Sequence, residues 1–467
     1  MTLARANELY DAGHTREAAA LYRDLWRAAP EDFGLLCKYA FAENNHSRPN
    51  IIAAISDYLR LLSADDLEGR TKALALQLPY LEAERRVTMA GVSDYSADTV
   101  DEAPFRMSPE QHAFITYAHA WLREKECASS LSFAAKAHFI SGQYAQADAV
   151  LERLRAYHAD LRDTEVRFGG EWFDDLDDAA ERFEKKLPAL NVLLDVTGKL
   201  KANRVFIGCD WAYYEKHGIG LANSLKDNDV WQNPGWRTPL HVHWFTDGPD
   251  GTRANLQGMS CEKAPVQGEP ARFYYAAIRL FRLWQLMERD GKTTIMLDAD
   301  VFVGKPMDEL FDRLEAADVA LCRMPGRLHF HTQFNASVVG FTKRSLPYLR
   351  RVAGYIAKCF EANHVPWCLD QIALSCVLRE MQSRGDVPKA IAVGPGVYDG
   401  TYNAMLWPQK VGPDSEWLLR WQAAQAKWGN ACSSIAADGS HSLTDHPETP
   451  AAPSLCCLLY TSDAADE

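Results

Sequence analysis

The chain has 467 residues, 47% hydrophobic and 24% charged, and a formal net charge of −13 at pH 7. It is too long for one ordinary compact domain and has the composition of a globular protein. Its acidic balance, without a long basic block, argues against nucleic acid or an anionic membrane as the main partner. No apolar run reaches the length of a membrane span, and the opening MTLARANELYDAG enters a polar helical pattern rather than a signal-peptide core, so a cytoplasmic protein with no transmembrane segment is expected.

Residues 1–195 are rich in Ala, Leu, Arg and Glu with apolar positions at helical spacing, which predicts an all-helical region. Within it, ANELYDAGHTREAAALYRDLWRAAPED places Gly13, Ala18, Tyr22 and Pro30 at the offsets of a tetratricopeptide helix-turn-helix unit, and HFISGQYAQADAVLERLRAYHAD repeats the pattern at Gly142, Ala147 and Leu151. The separation of the two copies is not a whole number of such repeats, so Asp94–Gln111, DYSADTVDEAPFRMSPEQ, reads as an insertion or long loop. An ordinary helical bundle is the alternative. The eleven cysteines are scattered, without the paired CxxC spacing of a zinc site, and read as reduced, mostly packed thiols.

Beyond residue 203 the texture changes. RVFIG is a short β-rich run followed by Cys209, Asp210 and a helical stretch, and LHVHWFTDG is a second strand. ARFYYAAIRLFRLWQLMERDG is an amphipathic helix, TTIMLDADVFV a third strand or strand end, and ADVALCRM and FNASVVGF two more strands. Strands alternating with helices predict an open α/β sheet with ligands at its carboxyl edge. Asp298 and Asp300 interrupt an apolar run, where unpaired carboxylates are costly. On an ideal strand they would point to opposite faces, so a shared ligand requires the strand to end and the backbone to turn at Ala299. Two carboxylates so placed suit a hard divalent cation, Mn²⁺ or Mg²⁺, that bridges to nucleotide phosphates.

LDADVFV resembles the DxD motif of GT-A-fold glycosyltransferases, which use nucleotide-diphosphate sugars as donors. RFYYAAIRLFRLWQLM resembles the helix before that motif in the family of glycogenin and the bacterial lipopolysaccharide glucosyl- and galactosyltransferases. The match assigns Tyr275 and Arg279 to the nucleotide. FNASVVGF resembles the family's segment near the donor sugar, with Asn335 and Ala336 as counterparts. CLDQIAL resembles its Asp-Gln element, which makes Asp370 and Gln371 candidates for sugar-hydroxyl contacts or for stabilising positive charge at the anomeric carbon. FIGCDWAYYEKHGIGLANSL resembles the first strand and helix, where Asp210 or Tyr213 would meet base or ribose.

The resemblance implies a GT-A catalytic domain, a Rossmann-like open mixed sheet over residues 203–430, preceded by the all-α tetratricopeptide-like domain. It further implies a metal on Asp298 and Asp300 and a UDP-sugar donor, with retention at the anomeric centre. The acceptor would be a carbohydrate, glycolipid or protein, and the enzyme would be cytoplasmic, at most peripheral to the inner membrane. The helical domain would serve a protein partner. Each matched residue also has a plain role: Tyr275 and Arg279 as core and surface of one helix, Asn335 in a turn, Asp370 as a helix cap. His329 and His331 alternate along an extended segment and read as structural.

Two rival readings stay open. One is a tetratricopeptide scaffold with an inactive transferase-like domain. The other is a nucleotidyltransferase, although that would need a glycine-rich basic loop where this chain has CDWAYY. The family's further metal-ligand histidine, with a following Gly and Lys, has no evident counterpart. His441 and His446 lie in the right region, but in low-complexity flanks that read as solvent-exposed. Residues 431–456 read as a tail, and 457–467, CLLYTSDAADE, resembles translated adapter sequence, an artefact that would truncate the natural chain.

Overall fold

The computed structural model describes residues 2–44, 46–90, 107–157, 167, 170–194, 203–228, 239–245, 258–263, 269–304, 306–323, 334–363, 365, 368–386, 388–392, 405–406 and 416–429. His329, His331, His441, His446, most of Asp94–Gln111 and everything after 429 lie outside these residues.

The amino-terminal part is helical. It comprises α1 (Leu3–Asp11), α2 (Thr15–Ala28), α3 (Phe33–Glu43), α4 (Arg48–Leu61), α5 (Leu67–Ala90), α6 (Pro109–Glu124), α7 (Ala128–Ile140) and α8 (Tyr144–Tyr157), each packed on the next. Helix starts follow side-chain caps: Thr2, Asp32, Ser47 and Ser108 each accept a hydrogen bond from the backbone N–H three residues on. The α1–α2 and α7–α8 hairpins share one design. Gly13 (φ +81°) and Gly142 (φ +72°) turn the chain in a left-handed conformation that side chains disfavour, and Ala18, Tyr22, Ala147 and Leu151 are buried between helices.

Two shorter helices follow, α9 (Gly170–Phe173) and α10 (Leu176–Glu184), and then strand β1 (Asn191–Leu194). This strand corrects the expectation of an all-helical stretch to residue 195. Sequence-distant pairing with β4 sets a strand where NVLL is too short a run to announce one.

The remaining elements are β2 (Asn203–Cys209), α11 (Trp211–Tyr213), a π-helical turn over Tyr214–Gly218, α12 (Ile219–Asn228), β3 (Leu240–Trp244), β4 (Gly258–Cys261), α13 (Glu269–Asp290), β5 (Thr293–Leu297) and β6 (Phe302–Val303). After them come α14 (Asp308–Glu315), β7 (Val319–Arg323), β8 (Phe334–Phe341), α15 (Leu346–Glu361), α16 (Leu369–Arg384), β9 (Ala390–Ala392), β10 (Met405–Leu406) and α17 (Glu416–Trp428).

Eight strands form one mixed sheet in the order β1-β4-β3-β2-β5-β8-β7-β9. β4, β3, β2 and β5 run parallel, β1 and β8 run against their neighbours, and β9 is parallel to β7. All five expected strands are present, as β2, β3, β5, β7 and β8. β6 and β10 pair separately as a two-stranded ribbon.

Both sheet faces are covered, as alternating strand residues require. Val205, Ile207, Val242, Ile295 and Leu297 pack with Leu221 and Leu225 of α12 and Leu310 and Leu314 of α14. On the other face Phe206, Met296 and Val339 pack under α13, α15 and α16, and this cluster runs on without a break into Leu131, Leu151, Phe173 and Phe183. The division expected near residue 195 is therefore not a break in packing: helices α7 to α10 share the core of the sheet. Gly354 of α15 marks the tightest approach, since a Cβ there would stand 1.9 Å from the Leu176 carbonyl oxygen of α10.

Candidate functional site

The parallel strands β2, β3 and β5 end side by side, and the residues just past them, Asp210, Phe245 and Asp298, share the carboxyl edge. Each turn there has a local cause. Asp210 caps α11, its Oδ1 accepting the Tyr213 N–H at 2.7 Å. Tyr213 then donates its hydroxyl to Asp300 Oδ2 at 3.1 Å, tying the first strand-helix turn to the acidic loop. Phe245 stacks on Tyr275 of α13, with ring centroids 4.5 Å apart and planes 5° apart. Gly208 lets α13 lie close to β2, because a Cβ would meet both the Arg279 Cβ and the Phe245 ring at 3.1 Å.

β5 ends at Leu297, and the chain turns at Ala299 and Asp300, the geometry that a shared ligand required. The Asp298 N–H donates to the Ser337 carbonyl at 3.0 Å, which keeps the loop alongside β8. Ala299 and Val301 are buried below, so the two half-buried carboxylates are what this turn presents. Beyond it, Phe302 and Val303 pair with Met405 and Leu406, and the Val303 N–H donates to Ser224 Oγ at 2.9 Å.

Arg279 is the hub of the charges. Its guanidinium pairs with Asp298 and, through Nη2 at 2.7 Å, with Asp370 Oδ2. Burial alone would weaken the Arg279 charge, but the two carboxylates outweigh it and hold its pKa above the usual value. Asp370, in the first turn of α16, also accepts the Gln371 N–H at 2.8 Å. Burial raises its pKa against the opposing pull of Arg279. Burial and the neighbouring Asp298 charge push Asp300 up to about 6.

Of the residues singled out in the sequence, Asp210, Tyr213 and Asp300 form one run of polar contacts and Asp298, Arg279 and Asp370 another, the two joined through the backbone turn at Ala299, and Tyr275 stands beside Asp210, whose charge contributes to its raised pKa after burial. Asn335 turns inward on its own strand, its Oδ1 accepting from the Ser337 N–H at 2.8 Å and the Ser337 hydroxyl at 2.6 Å. Ala336 is packed in the apolar core. Gln371 is half-buried beside Asp370. Among the described residues no third His, Cys, Asp or Glu joins the aspartates in a metal-ready group.

Phe245 joins the site without a motif in the sequence to mark it, the aromatic run HWF at a strand end being its one signal. Helix α17 likewise packs against α12, with Asn223 Nδ2 donating to the Trp428 carbonyl at 3.0 Å and Trp428 Nε1 donating to Asp227 Oδ2 at 3.0 Å.

No family model matches the chain, and no curated protein matches it. Among solved structures it is similar to an active-site mutant of LgtC, with 14% identity, a TM-score of 0.32, and coverage of 48% of this chain and 95% of that one. It is also similar to the glycosyltransferase GlyE of Streptococcus pneumoniae TIGR4 (14% identity, TM-score 0.30, 49% and 63% covered) and to mouse xyloside xylosyltransferase 1 (10% identity, TM-score 0.27, 44% and 97% covered). Likenesses this remote say nothing of activity.

Proposed function

We propose that the chain is a metal-dependent glycosyltransferase that moves a sugar from a nucleotide-diphosphate donor, a UDP-sugar, to a carbohydrate, lipid-linked or protein acceptor with retention. One observation carries this reading: the matched polar residues of four separate sequence segments, Asp210 and Tyr213, Arg279, Asp298 and Asp300, and Asp370, meet at one sheet edge through direct contacts. Open α/β sheets take their ligands at that edge.

The donor set fits a divalent cation. Asp298 and Asp300 offer carboxylate oxygens from one turn, the ligand type Mn²⁺ or Mg²⁺ prefers, while Asp370 adds negative charge through its pairing with Arg279. Asp298 and Asp300 would hold the ion, and when bound it supplies the positive charge that neutralises a departing diphosphate. Arg279 holds Asp298 and Asp370 in fixed relation. Asp370, anchored from both oxygens, offers fixed negative charge to a sugar ring turning cationic as its bond to phosphate breaks. Tyr275, stacked on Phe245, and Asp210 offer an aromatic and a polar group to base and ribose. The α1–α8 array would receive an acceptor protein or a partner.

Nucleotide release from UDP-sugars with Mn²⁺ tests the reading. Release should be abolished by chelation and should fall about 100-fold or more in an Asp298→Asn, Asp300→Asn double variant. Full activity in that variant would remove the metal assignment.

A further inference from the structure

Asp298 and Asp300 leave one turn and are held by partners of different kinds. Asp298 pairs with the Arg279 guanidinium of α13, so part of its charge is already cancelled. Asp300 Oδ2 accepts the Tyr213 hydroxyl at 3.1 Å, from a phenol that carries no charge. A neutral donor fixes a carboxylate in place and leaves its negative charge whole.

Tyr213 is itself held at its backbone and its ring. Its N–H donates to Asp210 Oδ1 at 2.7 Å, which sets the chain at the start of α11. Its ring stands against that of His217, four residues on, with centroids 4.7 Å apart. His217 belongs to the π-helical turn, where the Ile219 N–H reaches back five residues to the Tyr214 carbonyl. Such wide turns re-aim the side chains they carry and recur at functional sites.

Burial does not account for this arrangement, since Tyr213 stays 41% exposed. The family resemblance gives the side chain to base or ribose, but the hydroxyl is committed to the acidic loop. The hydrogen-bond partners of ligating carboxylates orient them, and losing such a partner typically costs about 10–100-fold in metal affinity.

We propose that Tyr213 is a positioning residue of the acidic loop: its hydroxyl holds Asp300 in place for a divalent cation without neutralising it. The assignment rests on the metal reading above. Its test is titration of the full chain with Mn²⁺, followed by electron paramagnetic resonance with and without UDP, and calorimetric titration with uridine, for wild type, Tyr213→Phe and Tyr213→Ala. Tyr213→Phe keeps the ring and the backbone bond to Asp210 and loses only the hydroxyl, so its thermal unfolding should match wild type. The expected result for Tyr213→Phe is Mn²⁺ affinity weaker by about tenfold or more, uridine affinity unchanged, and nucleotide release restored by excess Mn²⁺. Wild-type Mn²⁺ affinity in Tyr213→Phe would overturn the assignment while leaving the metal reading intact, and loss of uridine binding in Tyr213→Ala would then return the residue to the nucleoside. A loss of release that excess Mn²⁺ does not restore would also overturn it, because the hydroxyl would then act in the reaction itself. A wild type that takes up no Mn²⁺ in either condition would overturn both readings.

Discussion

Arg279 and Arg282 leave the same helix three positions apart and meet carboxylates in opposite circumstances. Arg282 and Glu262 are both 0% exposed, and most of their spare groups are filled: Arg282 donates to the Pro188 carbonyl at 2.8 Å and to Gln285 Oε1 at 2.7 Å, leaving its Nε without a partner among the described residues, and Glu262 accepts the Tyr274 hydroxyl at 2.9 Å. One positive charge meets one negative charge, and water is shut out. Arg279, 11% exposed, faces Asp298 at 29% and Asp370 at 4%, with Asp300 beside them, so the edge keeps an excess of negative charge within reach of solvent. The sealed pair fastens α13 to β4 and to the segment before β1. The open one has more carboxylates than guanidinium groups, an excess that the proposed cation would balance.

The largest effect should come from the sealed pair. Arg282→Met leaves Glu262 buried without its counter-charge and should cost about 3–5 kcal/mol of stability in urea unfolding, most of it recovered when Glu262 is also made Met. Little destabilisation, or no recovery in the double variant, would erase the contrast. Arg279→Met should divide differently: a smaller stability loss, because Asp298 can rehydrate and buried Asp370, its pKa already raised, can take up a proton, and a fall of about 100-fold in nucleotide release, because Asp370 and the acidic loop lose their fixed relation. If its unfolding cost equalled that of Arg282→Met, the open site would be structural.

The smallest effect is a pH signature of the sealed face. His241 and His243 are buried on β3, sharing the Ser260 hydroxyl at 2.8 and 2.9 Å. Burial first, then neighbouring positive charge (Arg204, Lys292 and Arg289 for His241; Arg282 and His241 for His243), lowers both pKa values well below 6.5. Both rings stay neutral in the fold, whereas the unfolded chain takes up protons as pH falls below 6.5. Stability is therefore complete above that pH and declines below it, by at most about 1.4 kcal/mol per pH unit for each ring. Unfolding free energies at pH 7.5, 6.5 and 5.5 measure this, and replacing both rings with Gln should flatten the profile.

By periodicity α13 is one amphipathic helix in which Arg279 and Arg282 look alike, and only the family resemblance singles out Arg279. In the fold, the course of β4 and of Pro188, set by distant pairing, tells them apart. The five long strands were legible because each is a continuous β-rich run between turn residues. β1 and β4 were not: NVLL is short and follows a charged helix, and GMSC has no β-branched or aromatic residue. Helix α15 carries Gly354 in its middle, where local propensity counts a glycine against a helix. Its use emerges only with α10, whose backbone occupies the place of a side chain. The acidic pair was legible as a cost without a remedy, and the remedy, Arg279, stands 19 residues earlier.

The flank of Asp300 is built from segments far apart in the chain, with Gly220 of α12 and Gln425 of α17 both beside it. Asn223 and Trp428, which bond across that flank, are 205 residues apart, and the ribbon that holds Phe302 is completed only by Leu406. Closing so long a loop comes late in folding, after local helices and hairpins have formed. We expect these long-range contacts to close after the local helices, so that the proposed ligand competence would be acquired late in assembly. In refolding, UDP binding with Mn²⁺ should trail the helical circular dichroism signal, and coincident traces would put closure inside the main folding step.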